Sequence, residues 1–508
     1  MSWGWGSPRG RVLARAGLGV LSWVISPELV DEAVGDGLAW EMRLRALPSR
    51  LGVYFILGLC LFSGLPYGQV LRELTWGLEQ VLGAAGWQVP ASTALTKARV
   101  RIGERPLECL FWRLASACSP GRAPWSHIGG LLVAAWDGTT VDADDSPANA
   151  AAFGKPAAAA KNGTPVGTES GCPQLRLVTL VACGTRGLLG AAIGPLRGTG
   201  TGERELARGL LGSLHRGMLL LADRGFYSYQ LWNAAAATGA DLLWRVKGNI
   251  RLAPVRELPD GSYLARISDP RAVQARLNKN GKRRRRGSTL PPQTSPLPGL
   301  TVRVIEFTLA ITDDDGTAST GRYRLVTTLT HWQAFPAAAL AALYAWRWAI
   351  ETGYRECKTY LRGPGRRLRG RTPELARQEL WAYLSIYQAI RTIIVWAAAG
   401  AGIDPDRISF TAALHAARRT ITTARDSMDT ALASTEAGIL TCLIPQREGR
   451  IYPRAVKKPA SPYPSRHRKT SPISQHAGYT LTITPPSTPT HPTPEQSQQA
   501  ETTANQPP

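Results

Sequence analysis

The chain has 508 residues, enough for several domains at roughly 100–200 residues each. Lys and Arg outnumber Asp and Glu by 60 to 37, and the resulting formal charge of +23 favours a polyanionic partner such as nucleic acid. Seven cysteines (60, 109, 118, 172, 183, 357 and 442) with no CxxC pair or Cys/His cluster argue against a disulfide framework and a structural zinc site and suit a reducing cytoplasm, while the most apolar stretch, Leu51–Phe62, has 12 residues where a bilayer span takes about 20.

Residues 1–18 lack the layout of a secretory signal and read as an extension. From about Gly19 to Cys118 apolar residues recur at helical spacing, with turns at Ser26-Pro27, Leu47-Pro48 and Leu65-Pro66, which predicts an all-α domain over 19–125. Leu51–Phe62 belongs there as a buried helix. Val89–Arg101 reads as a helix entered through Pro90 and a hydroxyl cap, with Thr93, Thr96, Lys97, Arg99 and Arg101 polar, a candidate for the major groove of DNA or a plain solvated helix.

From about Gly129 the texture changes to short apolar runs at Leu131–Trp136, Leu175–Val181, Gly187–Ile193 and Met218–Ala222, which read as buried strands. Helical patterns at Glu203–Leu214 and Gln230–Thr238 alternate with them, as in an α/β core over 126–245. Residues 145–172, rich in Ala, Pro, Gly and Ser, read as an exposed mobile loop. Runs at Gly261–Ile267, Leu300–Ala310 and Gly321–Thr328 mark a β-rich segment over 246–330, whose basic stretch Lys279–Gly287, including Lys282, Arg283 and Arg284, is expected to be a loop that either contacts DNA phosphates or is merely solvated. Helices follow at Pro336–Leu361, Pro373–Ala399 and Ser409–Asp426. Beyond Ile451 the chain holds 12 of its 37 prolines in 58 residues, which predicts a disordered tail over 451–508.

Two carboxylates stand where chemistry is easily done. Asp137 follows the strand Leu131–Trp136, and Asp223 follows Met218–Ala222, with Gly225 allowing a sharp turn. Alone, each is as readily a cap or turn residue. Asp142, Asp144 and Asp145 compete with Asp137 but fall in the predicted loop. A third element adds weight: Tyr344, Arg347, Glu351 and Lys358 are spaced by three, four and seven, so one face of one α-helix would carry a carboxylate between a phenol, a guanidinium and an ammonium. An ordinary charged stripe would have the same spacing.

The pattern Tyr-x2-Arg-x3-Glu-x6-Lys resembles the YREK signature of a large family of DDE insertion-sequence transposases, the insertion-sequence-four family, at all four positions. Asp137 in WDGTT and Asp223 in LLLADRGFY resemble the family's two aspartates, and Ser26–Arg99 resembles its N-terminal helical domain. The resemblance implies an RNase H-like mixed-sheet catalytic core, interrupted by the β-rich insertion, resumed at 331–400 with the Glu351 helix and followed by helices at 401–450. It implies that Asp137, Asp223 and Glu351 hold two Mg²⁺ ions, with Mn²⁺ able to substitute, and that Tyr344, Arg347 and Lys358 grip phosphates near the cleaved end. The implied partners are double-stranded DNA, as transposon ends and target, and a second copy of the chain on paired ends, with no membrane. Some members form a DNA hairpin and stack a flipped base; Tyr323 is the candidate here, against the reading of a packed strand tyrosine. A transposase-derived DNA-binding protein without catalysis, and an RNase H-like nuclease without strand transfer, remain open at this point.

Overall fold

Leu131–Trp136 shows no polar alternation, the pattern of a strand covered on both faces, and Val133, Ala134, Ala135 and Trp136 are fully buried at the centre of the main sheet. The computed structural model describes residues 13, 16–36, 47–84, 86–118, 121, 123, 125–159, 165–169, 171–198, 200–285, 299–312, 318–422, 427–445 and 478–486. The described residues up to Val246 and from Leu343 to 445 form one unit; those from Lys247 to Ala342, with 478–486, form a second.

The sheet of the first unit contains β1 (Leu131–Asp142), β2 (Gln174–Ala182), β3 (Leu188–Pro195), β4 (Met218–Ala222) and β5 (Asp241–Arg245) in the order β3-β2-β1-β4-β5. The β3-β2-β1 pairs are antiparallel and the β1-β4-β5 pairs parallel, which is the mixed sheet expected of an RNase H-like core. Trp136 on β1, Trp232 on the helix Tyr229–Ala236 and Trp244 on β5 form a buried aromatic cluster, with ring centroids 5.5 and 5.1 Å apart. Such contacts pack β1 and β5 against that helix.

The N-terminal region is helical, as expected, with helices at Pro27–Asp36, Ser49–Leu61, Tyr67–Leu74, Ser92–Ile102 and Arg105–Leu114. Ser49–Leu61 is buried along nearly its whole length. It packs against Pro373–Gly400, a 28-residue helix apolar and long enough to cross a membrane by composition, yet 83% of its most apolar window is buried inside the protein. Gln378, Glu379, Gln388 and Arg391 are buried along it, so it is a core helix with internal polar partners.

The second unit is a meander of β6 (Pro254–Glu257), β7 (Tyr263–Ser268), β8 (Gly299–Thr312) and β9 (Ala318–Thr327), antiparallel throughout. Three expectations fail on these elements and their neighbours. The basic stretch is not a loop as far as it is described, because Pro270–Arg285 is a helix, and Arg, Lys, Leu and Ala are good helix formers. Within the expected disordered tail, Gly478–Ile483 forms a strand, β10, antiparallel to the distal half of β8. Its alternation of Tyr479, Leu481 and Ile483 with Gly and Thr is a strand pattern that the composition of 58 residues averages away; the remainder of the tail lies outside the described residues. Residues 145–172 hold structure too: Ser146 caps the helix Pro147–Phe153 through the Asn149 N–H, and Ala157–Ala159 pairs with Pro165–Glu169.

Candidate active site

Asp137 does not end a strand. β1 runs on to Asp142, because β2 pairs with it all the way to Asp142, whereas its parallel partner β4 stops at Ala222. The parallel register sets Ala135 beside Leu221, so two residues further on Asp137 and Asp223 are level with each other, at the end where the parallel neighbour gives out. Neighbouring strands lie about 4.8 Å apart, so the register alone brings both carboxylates to one mouth. Burial raises the Asp137 carboxyl above the usual aspartate range, with Asp223 adding to the rise, while Arg347 and the Gly138 N–H, which donates to Oδ1 at 2.8 Å, oppose it.

The expected single α-helix is instead a run of three pitches: a 3₁₀ turn at Tyr344–Arg347, α-helix at Trp348–Arg355 and a π-helical turn at Glu356–Leu361. The 3₁₀ turn eclipses residues three apart, which stacks Tyr344 over Arg347. The π turn is anchored by buried Glu356, which accepts from Arg186 at 2.6 Å and from the Tyr387 hydroxyl at 3.1 Å. The four residues nevertheless share one direction. Arg347 Nη1 lies 2.9 Å from Asp137 Oδ2 and Nη2 lies 3.6 Å from Glu351 Oε1. The Tyr344 hydroxyl donates to Ala222 O at 3.3 Å, and Lys358 Nζ donates to Thr139 Oγ1 at 3.0 Å and Thr140 O at 2.8 Å. Arg245 lies 3.8 Å from Asp223. Tyr344 and Lys358 thus brace the strands that carry the aspartates, as buried polar groups must find partners.

Two groups had no signal in the sequence. Tyr354 donates its hydroxyl to the Asp137 carbonyl at 2.6 Å and bonds Thr179 Oγ1 at 2.9 Å; its place one turn after Glu351 is the only hint. Glu203 lies against Gly138, and burial, with Asp137 and Asp223 nearby, raises its carboxyl. Asp142 and Asp144 are engaged elsewhere, with Gln174 and Arg371, and Asp145 pairs with Lys155.

The outlying candidates separate by burial. Thr93, Thr96, Lys97 and Arg101 are exposed on the helix Ser92–Ile102. Arg99 is not available to DNA: it is 1% exposed and pairs with Glu379, Gln378 and Tyr67. The expected hydroxyl cap is absent too, since Ala91 occupies that position and Ser92 is the first helical residue. Tyr323 stacks on Phe307, its cross-strand partner, with centroids 5.2 Å apart and planes at 13°. The side chains of Lys282, Arg283 and Arg284 lie outside the described residues.

Residues 129–388, half of the chain, match the family described as "Transposase DDE domain", and residues 15–112 match "Insertion element 4 transposase N-terminal". The chain belongs to the insertion element 4 family of DDE transposases. The transposase is 26% identical over 457 residues to the "Transposase InsG for insertion sequence element IS4" of Escherichia coli (strain K12), covering 89% of this chain and 94% of that protein. It is 28% identical over 203 residues to a provisionally named transposase of the same strain, InsZ, covering 40% of this chain and 62% of that one. It is therefore an enzyme acting on DNA, of a family that uses divalent metal ions.

Whether this transposase could hold such ions is a matter of donor chemistry. Among the described residues no three His, Cys, Asp or Glu side chains form a ready-made cage. Magnesium does not need one, since it keeps several waters and takes one or two carboxylates plus substrate phosphates. Asp137, Asp223 and Glu351 offer only hard carboxylate oxygens, and the Arg347 guanidinium between two of them supplies positive charge where a cation would be welcome. The donor set fits.

Proposed function

We propose that Asp137, Asp223 and Glu351 are the catalytic carboxylates of this transposase, and that they hold two Mg²⁺ ions, for which Mn²⁺ substitutes. The observation that carries this reading is the Arg347 fork, which spans from Asp137 on the sheet to Glu351 on the helix and so joins residues 214 positions apart in the chain. When bound, the ions activate the attacking oxygen and stabilise the leaving one, for hydrolysis at the transposon end and then for attack by the freed 3′-hydroxyl on target DNA.

The protein's own part is to place these groups. Lys358 and Tyr344 hold the ends of β1 and β4 through Thr139, Thr140 and Ala222. Arg347 keeps two carboxylates from repelling each other, and its planar fork is of the kind that binds phosphate bidentately, so it passes from carboxylate to DNA phosphate as the ends bind. Tyr344 and Lys358 are its neighbours in that contact. Exposed Thr93, Thr96, Lys97 and Arg101 support a DNA contact by the helix Ser92–Ile102. Double-stranded transposon ends and target are the substrates, in the cytoplasm, with two copies acting on paired ends. The Tyr323–Phe307 stack favours a packed tyrosine over a base-stacking one.

The test uses DNA carrying the inverted repeats that flank the transposase's own element, with Mg²⁺ and then Mn²⁺. Wild type is expected to cleave and join ends, while Asp137→Ala, Asp223→Ala and Glu351→Ala bind the same DNA and lose both steps by at least about 10³-fold, the scale of an essential group. Cleavage by any of the three at near the wild-type rate sinks that assignment.

A further inference from the structure

Glu203 opens the short helix Glu203–Arg208, and its side chain crosses the residue that follows Asp137. A Cβ on Gly138 would stand 2.5 Å from the Glu203 carboxyl carbon and from Oε1, and 2.7 Å from Cγ. Gly138 has no left-handed backbone that would itself call for glycine. Its want of a side chain is explained by the carboxylate that fills the space.

The carboxylate is also held from the side. Arg176, opposite Thr140 in the β1-β2 register, pairs with Glu203 Oε1 at 3.4 Å and donates to Leu196 O at 3.3 Å. Glu203 is 39% exposed, close to the 35% of both Asp223 and Glu351, so it opens to solvent as they do. Setting a further carboxylate over the residue next to Asp137 costs repulsion from the charges of Asp137 and Asp223, which cations at the mouth offset.

We propose that Glu203 is a fourth carboxylate of the ion site, placed over Gly138 to accept hydrogen bonds from the water carried by an ion at Asp137 and Asp223. The inference rests on the assignment of those two aspartates. Partners of this outer kind orient what the direct ligands hold, and their loss weakens metal binding by about 10–100-fold.

The test is Mn²⁺ binding by calorimetry to the full chain in complex with transposon-end DNA, with thermal melting of each variant alongside. Glu203→Gln keeps the shape and is expected to bind Mn²⁺ about 10-fold more weakly with an unchanged Tm. Gly138→Ala, which displaces the carboxylate without removing it, is expected to show the same loss. Asp137→Ala is the reference for the underlying site. If both Glu203→Gln and Gly138→Ala bind Mn²⁺ like wild type while Asp137→Ala does not, Glu203 belongs to a structural ion pair and the proposal falls. A lowered Tm in Glu203→Gln with unchanged Mn²⁺ affinity likewise overturns it. If Asp137→Ala also binds like wild type, the aspartate assignment itself fails and takes Glu203 with it.

Discussion

Tyr354 sits three residues after Glu351 and gives its hydroxyl proton to the backbone of the residue it faces, Asp137 O, at 2.6 Å. Removing that proton leaves a part-buried carbonyl short of a partner, which costs about 1–2 kcal/mol. Tyr354→Phe is therefore expected to lower stability by that amount in urea unfolding and to slow strand transfer about 10-fold, with end binding in gel shift unchanged; wild-type transfer at reduced stability would confine Tyr354 to packing. The same residue shows what the sequence does and does not disclose at this scale. The proposed site residues Asp137, Asp223 and Glu351, with Tyr344, Arg347 and Lys358, can be named from the sequence because their spacing carries a motif. Tyr354 and Glu203 cannot, because only the folded sheet brings each near its partner, with Glu203 65 residues from Gly138 in sequence.

Element by element, strands of the core were the most legible, since Leu131–Trp136 and Met218–Ala222 are apolar runs long enough to name and too short for helices. Their limits were less so: β1 passes Asp137 because β2 supplies a partner, a fact that lies in another stretch of sequence. The β6-β7 turn of the second unit, which faces Arg303 on β8, carries a prediction of its own. Asp260 accepts from Ser262 Oγ at 2.5 Å and from the Ala337 N–H at 2.9 Å, and it pairs with Arg303, which is fully buried. Burial would raise its carboxyl, but these hydrogen bonds and Arg303 outweigh it and hold the group below the ordinary aspartate value. A lowered folded-state value means stability that is present above the unfolded pKa of about 4 and is lost as pH falls through the folded one. Far-ultraviolet melts of wild type should therefore lose stability progressively below about pH 4, where protonation also strands the Arg303 charge. Asp260→Asn should melt lower than wild type at pH 6 and lack this part of the acid sensitivity. Equal melting at pH 6 would show that Asp260 contributes nothing.

For the molecule as a whole, the question is how the basic N-terminal helices relate to the catalytic core within the first unit. By sequence Ser92–Ile102 is a candidate for the major groove or a plain solvated helix, and five of its polar residues look equivalent, yet the fold divides them. Arg99 turns inward to Gln378 Oε1 at 3.1 Å, Leu375 O at 3.3 Å and Glu379 Oε2 at 3.4 Å, and Gln378 returns a bond to Arg99 O at 2.9 Å. These contacts fasten the helix to Pro373–Gly400, so the region melts with the core instead of hinging on it. Arg99→Ala leaves Glu379 buried without its cation and should cost about 3–5 kcal/mol, read as a lower Tm in a single calorimetric transition, with the affinity for transposon ends little changed at temperatures where the variant is folded. Lys97→Ala on the exposed face should do the reverse: an unaltered Tm, weaker binding, and a salt dependence of binding shallower by about one unit of slope. If Arg99→Ala instead spares the Tm and flattens the salt dependence, Arg99 reaches DNA, and the inward network does not hold the two parts together.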